Sequence, residues 1–216
     1  MTAAIVLAAG LSRRMGRFKL TLPWGDRTVI GQVVATLEAA GVDEIIVVTG
    51  NRADAVVAAL AGTNTHIVHN PDYAAGEMLS SIQAGVREMA TARQGLKPPP
   101  QAGESRLKPA GSTPAVLLCL GDQPQMQAAT VQAVLSAGET DGWDQIVIPS
   151  YRMRAGHPIL LPNWLWPDIL DCAGTLRDVM AAHRDQTRFL VVDTPTILAD
   201  LDTPEDYEAG TLRRET

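Results

Sequence analysis

Four cations fall within seven residues of this chain, at Arg13, Arg14, Arg17 and Lys19. They belong to the segment Leu7-Ala8-Ala9-Gly10-Leu11-Ser12-Arg13-Arg14-Met15-Gly16-Arg17-Phe18-Lys19, which follows a short apolar run. Ala8, Ala9 and Gly10 carry little or no side chain, so backbone N–H groups there can approach a ligand closely. Small residues followed by concentrated positive charge suit a polyphosphate. The chain as a whole has a formal net charge of −6. The cations are therefore a local feature, and the general basic footprint of a nucleic-acid binder is missing. A small anionic substrate remains compatible, because a few cations can reverse the field inside one cleft. The plain alternative is a solvated basic loop.

Two familiar phosphate loops do not fit. A P-loop places four residues between its glycines and continues with Lys and Ser or Thr. Here five residues separate Gly10 from Gly16, and Arg17 follows. The Gly-x-Gly-x-x-Gly dinucleotide fingerprint is also absent. Acids lie elsewhere. Asp122 ends the run Leu117-Leu118-Cys119-Leu120-Gly121-Asp122-Gln123-Pro124, where Gly121 lets the chain turn out of a strand. Mg2+ takes one or two carboxylates and completes its shell with substrate phosphate oxygens and water. Asp122 is the first candidate for that role, with a turn residue as its structural alternative. Asp200 and Asp202 form a second candidate pair. They precede Thr203-Pro204-Glu205-Asp206, a helix start with Thr203 as N-cap, Pro204 at N1 and Asp206 at N3. Spaced two apart in extended chain, the pair points to one side.

Such groups need a scaffold that brings them together. Residues 3–7 are continuously apolar, as in a strand covered on both faces. The pattern predicts further strands over residues 45–48, 66–69, 115–120, 145–148 and 189–192, with a hairpin-like strand at 158–161. Helices are expected over 28–40, 53–60, 78–91, 127–137, 164–172 and 176–183, and from about Thr203 onward. Gly41 suits the position that closes the first of these. Alternation of this kind predicts a mainly parallel sheet between two helical layers, mixed if the strand at 158–161 joins it. In open α/β sheets ligands gather at the carboxyl ends of strands, which is where both the cationic loop and Asp122 emerge.

Residues 94–114 interrupt the pattern with Pro98-Pro99-Pro100, Pro109, Pro114 and three glycines. They read as a flexible insertion in one domain spanning 1–216, because the strand that follows needs sheet neighbours. A boundary between two small domains is the alternative. No apolar run reaches the roughly 18–20 residues that span a bilayer, and the first strand is too short and lacks the basic start of a signal peptide. Cys119 and Cys172 suggest no disulfide framework, which makes the cytoplasm the simplest location. His66 and His69 are three apart on a strand, facing opposite ways, which argues against a zinc pair.

The first loop resembles the signature Leu-Ala-x-Gly-x-Ser-x-Arg-Met-Gly, followed by Lys, of nucleotidyltransferases akin to the molybdenum cofactor guanylyl- and cytidylyltransferases. The Gly-Asp-x-Pro element at Gly121–Pro124 and the Asp-x-Asp-Thr-Pro-Glu-Asp element from Asp200 resemble that family too. The resemblance implies a Rossmann-like three-layer α/β sandwich with a mostly parallel, mixed central sheet, as in nucleotide-diphospho-sugar transferases. It implies nucleotide binding by Leu7, Ala8, Ala9, Gly10, Arg14 and Lys19, and catalysis by Arg14, Lys19 and Asp122. It assigns Mg2+ to Asp122 and, favoured over Asp200, Asp202. Ser81 and Gly85 match a Ser-x-x-x-Gly unit that lies by the nucleotide in the cytidylyltransferase branch, although Ser80 or Ser81 serves equally as an N-cap. His157, in Gly156-His157-Pro158, matches an element expected to touch the acceptor or a phosphate; a structural histidine is the alternative. Trp164 and Trp166 suit stacking on a flat pterin or, near Pro162 and Pro167, anchoring to the core.

The reaction so implied is attack by an acceptor phosphate on the α-phosphorus of a nucleoside triphosphate, with release of pyrophosphate. Ala9 stands where guanylyl-specific members usually have Gly. With the Ser80-Ser81 and Gly-His-Pro elements it favours CTP as donor and a molybdopterin-type cofactor as acceptor. Other outcomes are cytidylyl, uridylyl or guanylyl transfer to a sugar or polyol phosphate, or a non-catalytic nucleotide-binding maturation partner of a molybdenum hydroxylase. A redox enzyme is disfavoured by the missing glycine fingerprint. The expected partners are small molecules and a molybdoenzyme, with neither nucleic acid nor membrane.

Overall fold

A computed structural model describes residues 2–74, 78–91 and 113–215. Most of the Pro- and Gly-rich segment, residues 94–112, lies outside the described residues. The first strand, β1 (Ala3–Ala8), shows why its sequence is apolar throughout. Ala4, Val6 and Ala8 point into one core, and Ala3 and Ile5 into a second on the opposite face of the sheet. A strand covered on both faces has no polar side to show.

The chain continues through β2 (Pro23–Trp24) and β3 (Arg27–Thr28), a two-stranded antiparallel hairpin. Next comes α1 (Val29–Ala39), where the Thr28 hydroxyl accepts the Gly31 N–H at 3.1 Å as N-cap. Gly41, at φ +83°, turns the chain out of the helix. Then follow β4 (Glu44–Thr49), α2 (Ala53–Ala59), β5 (Thr65–His69) and α3 (Met78–Thr91). After the undescribed segment come β6 (Ala115–Leu120), α4 (Ala128–Thr140), β7 (Ile146–Tyr151), β8 (Arg154–Ala155) and β9 (Ile159–Pro162). The chain closes with α5 (Trp166–Asp171), α6 (Leu176–Ala182), β10 (Thr187–Val191) and α7 (Pro204–Glu215).

The main sheet has the order β10-β7-β9-β6-β1-β4-β5, with β8 pairing on β7. β1 runs parallel to both β4 and β6, β5 to β4, and β10 to β7. β9 is antiparallel to β6 and β7, so the predicted strand near 158–161 does make the sheet mixed. Val29, Val33, Val56 and Val131, from α1, α2 and α4, pack with Val6 on one face. Ile82, Ile169 and Val179, from α3, α5 and α6, pack with Ile5 on the other. Each such aliphatic side chain contributes about 1.5–3 kcal/mol when fully buried. The three layers are therefore held from both sides of the sheet.

Two features of this arrangement prepare a site. From β1 the chain moves to β4 and β5 on one flank, then crosses back to β6 on the other. Connections after β1 and β6 thus part in opposite directions and leave a crevice at their carboxyl ends. Close packing keeps the parts in register. A Cβ on Gly85 of α3 would stand 2.7 Å from Ile5 Cγ2, so only glycine lets α3 lie this near β1. The tryptophans act as anchors: Trp166 is buried in the second core, and Trp164 donates from Nε1 to the Asp144 carbonyl at 3.3 Å. His66 meets Glu88, whereas His69 lies against Tyr73, so the two histidines share no partner among these contacts.

Candidate active site

The loop after β1 is pinned by apolar residues and aims its polar ones outward. Met15, Phe18 and Leu20 are buried. Ser12 adopts φ +51° and accepts the Lys19 N–H on its Oγ at 3.3 Å, which closes the loop on itself. Ala8 and Ala9 are buried behind it and offer backbone rather than side chain. Gly10 is exposed, with open space where a Cβ would stand.

The turn after β6 is tied to this loop. Gly121 donates its N–H to the Leu7 carbonyl at 2.9 Å. A Cβ there would meet that same oxygen at 2.8 Å and Ile30 Cδ1 at 2.9 Å, so glycine is required by close approach. Asp122 follows directly. A third segment arrives from the far end of the chain, where the Leu201 N–H donates to the Asp122 carbonyl at 3.1 Å and the Leu201 side chain is buried. Beyond it, Asp206 Oδ2 accepts N–H groups of Thr203 at 2.8 Å and Asp202 at 3.1 Å, while Thr203 Oγ1 accepts the Asp206 N–H at 3.2 Å. This is the capping box that the sequence predicts, and it fixes the backbone of Asp202.

These segments converge on Lys19. Its Nζ lies 2.5 Å from Asp122 Oδ2 and 3.1 Å from Asp202 Oδ1. Arg14 holds the other oxygen of Asp202 at 2.7 Å. The Lys19 side chain is 11% exposed and that of Arg14 is 72% exposed, so the lysine is the inner charge and the arginine the outer one. Leu7, Gly10, Leu11, Ser12, Arg13 and Leu20 complete the walls of a cleft of about 230 Å3 around this cluster.

The electrostatics of the cluster are mutually dependent. Burial alone would lower the Lys19 pKa, but Asp122 and Asp202 outweigh it and hold the ammonium above its ordinary value. Burial raises the Asp122 carboxyl above its ordinary value; Lys19 opposes the shift and Asp200 adds to it. An acid in that condition gains from a further cation. His157 is neutral at physiological pH: burial pushes its imidazole down to about 4, although Asp122 pulls the other way. The His157 backbone N–H donates to the Ile197 carbonyl at 3.1 Å, in the segment that leads to Asp202, and the peptide bond to Pro158 is cis.

Not every predicted residue lines the cleft. Ser81 is buried in α3 and accepts from Asn70 Nδ2 at 3.0 Å, with Ser80 accepting from the same amide at 2.9 Å. Gly85 sits in the packing of α3 on the sheet. Asp200 and Asp202 meet different partners, since Asp200 Oδ1 accepts from Gln123 Nε2 at 2.6 Å. Sequence reasoning passed over Gln123, and also over Asn51 and Arg52. The last two line a second hollow of about 280 Å3, with Gly16, Arg17 and Phe18, which shares the wall Leu11–Ser12–Arg13 with the first. Their signal was positional: Gly50-Asn51-Arg52 stands at the carboxyl end of β4, next to β1.

The donor set fits a hard divalent cation. Among the described residues no group of three or more His, Cys, Asp or Glu is placed to hold a metal, so a cage made only of protein is absent. Asp122 and Asp202 instead share one ammonium, which puts their oxygens at most two hydrogen-bond lengths apart. Two carboxylates opening on a cleft, with room for substrate oxygens and water, match the habits of Mg2+.

Comparison with known proteins agrees with this fold. Residues 4–188 match the model of the MobA-like NTP transferase domain. The chain is 28% identical over 204 residues to the molybdenum cofactor cytidylyltransferase of Escherichia coli K12, covering 94% of this chain and 92% of the relative. It is 29% identical over 170 residues to the nicotine blue oxidoreductase of Paenarthrobacter nicotinovorans, covering 76% and 72%. Among solved structures, Rv0371c of Mycobacterium tuberculosis H37Rv in complex with manganese superposes with a TM-score of 0.72 at 27% identity, covering 98% and 97% of the two chains. With a mixed α/β sheet of this order and a family match over most of its length, the chain belongs to the MobA-like NTP transferases and is a nucleotidyltransferase.

Proposed function

We propose that this enzyme transfers CMP from CTP to the phosphate of a molybdopterin-type cofactor and releases pyrophosphate, with Mg2+ as its metal. The observation that carries the proposal is the convergence of Lys19, Arg14, Asp122 and Asp202 in one cleft. The name of the Escherichia coli relative and Ala9 in the first loop support cytidine and molybdopterin. A relative solved with manganese supports a divalent metal.

In this proposal Leu7, Ala8, Ala9 and Gly10 present backbone to the nucleotide, and Arg14 and Lys19 neutralise its phosphates. A lysine whose pKa is held up is a fixed charge, not a proton donor. Asp122 and Asp202 hold Mg2+, which supplies further neutralisation of the triphosphate. An oxygen of the acceptor phosphate bonds to the α-phosphorus as the bond to pyrophosphate breaks. That oxygen is already ionised, so no strong general base is needed, and the protein's part is positioning and charge. His157, neutral, is a hydrogen-bonding contact for the acceptor. Ser81 and Gly85 serve the nucleotide through the placement of α3. We read residues 1–216 as a single domain, and a molybdoenzyme receives the product. Free Cys119 and Cys172 suit the cytoplasm, and among the described residues no helix is long and apolar enough to cross a membrane. Nothing in the cleft favours hydride transfer, since the dinucleotide fingerprint is missing.

A pyrophosphate-release assay tests the proposal, with CTP, GTP, UTP or ATP, Mg2+, and molybdopterin or a panel of sugar and polyol phosphates. CTP with molybdopterin is expected to give the highest kcat/KM. A clear preference for another base or acceptor overturns the substrate assignment, and binding of CTP without release on any acceptor overturns the catalytic one.

A further inference from the structure

Gln123, the residue after Asp122, is 1% exposed and stands beneath the segment that carries Asp202. Its Nε2 donates to Asp200 Oδ1 at 2.6 Å and to the Ile197 carbonyl at 3.3 Å. Both partners are acceptors, so the position needs a side chain with two N–H groups, and a carboxylate there would face two oxygens. The Gln123 Oε1 is buried with no hydrogen-bond partner. An orphaned buried oxygen is rare and calls for an explanation. Here the side chain gives up that oxygen to keep both donors in use.

The Ile197 carbonyl is a junction. It accepts from Gln123 Nε2 and also from the His157 N–H, and a Cβ on Gly156 would stand 2.3 Å from it. Residues 199–202 form no helix or strand, and what fixes them is a few separate contacts: the Ala199 and Leu201 N–H bonds to the Thr196 and Asp122 carbonyls, the Asp202 N–H on Asp206, the buried Leu201 side chain, and the Gln123 amide on Asp200. Gln123 thus ties together the turn after β6, the turn before β9 and the strap before α7.

We propose that Gln123 is a positioning residue for nucleotidyl transfer, whose amide locks the Ile197–Asp200 strap so that Asp202 faces Asp122 across Lys19. The inference rests on the reading of Asp122 and Asp202 as metal ligands. Asp200 then acts as the handle that Gln123 grips, and the grip needs only its acceptor oxygen.

The test uses Mn2+ as probe and counts the free ion by electron paramagnetic resonance, without nucleotide, alongside kcat and KM for pyrophosphate release. Gln123→Met keeps length and loses both donors. Asp200→Ala removes the acceptor at an exposed position, and Asp200→Asn keeps an acceptor oxygen. Gln123→Met and Asp200→Ala are each expected to weaken Mn2+ binding and lower kcat by about tenfold, as loss of a partner that orients a ligand does. KM for the nucleotide should stay within about twofold, and the double variant should be no worse than Gln123→Met alone. Asp200→Asn should bind Mn2+ as the wild type does. Wild-type affinity in Gln123→Met or Asp200→Ala overturns the inference, as does Asp200→Asn as damaged as Asp200→Ala. Should Gln123→Met fail to fold, the two Asp200 variants decide alone. A wild type that binds no Mn2+ overturns the metal reading and this inference together, whereas binding that none of the variants alters overturns this inference only.

Discussion

Lys19 is held between two acids drawn from the middle and the far end of the chain, Asp202 standing 183 residues away. Its environment explains why a mostly buried ammonium keeps its proton: the cost of burial is outweighed by two carboxylates within reach. His157 is the opposite case, a half-buried imidazole whose loss of water pushes its pKa from an ordinary 6.5 to about 4. The sign follows from proton binding. Between those values the unfolded chain binds more protons than the folded one, so stability rises with pH across the window and is lost as pH falls through it. Thermal melts should therefore show a smaller drop in Tm from pH 7 to pH 4.5 for His157→Gln than for the wild type. An equal drop in the two proteins would mean that the fold does not hold His157 in its neutral form. At this scale the sequence was most legible where chemistry is local. The cationic loop and Asp122 declared themselves by type and spacing, and the Thr203–Asp206 cap did so by pattern. Gln123, Asn51 and Arg52 did not, because a buried amide or a hollow's wall is defined by neighbours that the sequence does not order.

Elements turn these residues into a site by closeness. The turn from β6 to Asp122 lies on β1 with no space for a methyl group at Gly121. Gly121→Ala should force the turn off the Leu7 carbonyl and cost about 1–3 kcal/mol, as overpacking does. Urea denaturation checks this, with a lower midpoint expected and an unchanged midpoint as the contrary result. The fall in turnover should exceed the fall in stability, because the displaced turn carries Asp122, which we propose holds the metal. Strands and helices were largely readable from apolar runs and their periods, and α3 and β6 have the predicted bounds. The β2–β3 hairpin and β8 escaped because strands of two residues show no alternation. The turn between β7 and β8 gave no cue either. Arg152 and Met153 take positive φ there without the Asn or Gly that usually marks such turns.

For the whole molecule, strand order decides function. β1 and β6 adjoin at the centre of the sheet, and the crossover between them opens the crevice where three remote segments meet. Alternating elements predicted a parallel sheet but left the order of its strands open, so the meeting of Lys19 with Asp202 came from resemblance rather than from physics. The negative chain and its cationic cleft fit together in one respect. A local field of opposite sign draws a polyphosphate to a single place on a surface that otherwise repels it. The central claim is that the carboxylate of Asp122 in this cleft is needed for transfer. Pyrophosphate release from CTP with Mg2+ and molybdopterin, measured for the wild type and for Asp122→Asn with matched Tm values, tests it most directly. The predicted result is a loss of about a thousandfold in kcat for the variant, in the range of other lost charge-stabilising groups. A folded Asp122→Asn protein that releases pyrophosphate at the wild-type rate would contradict it.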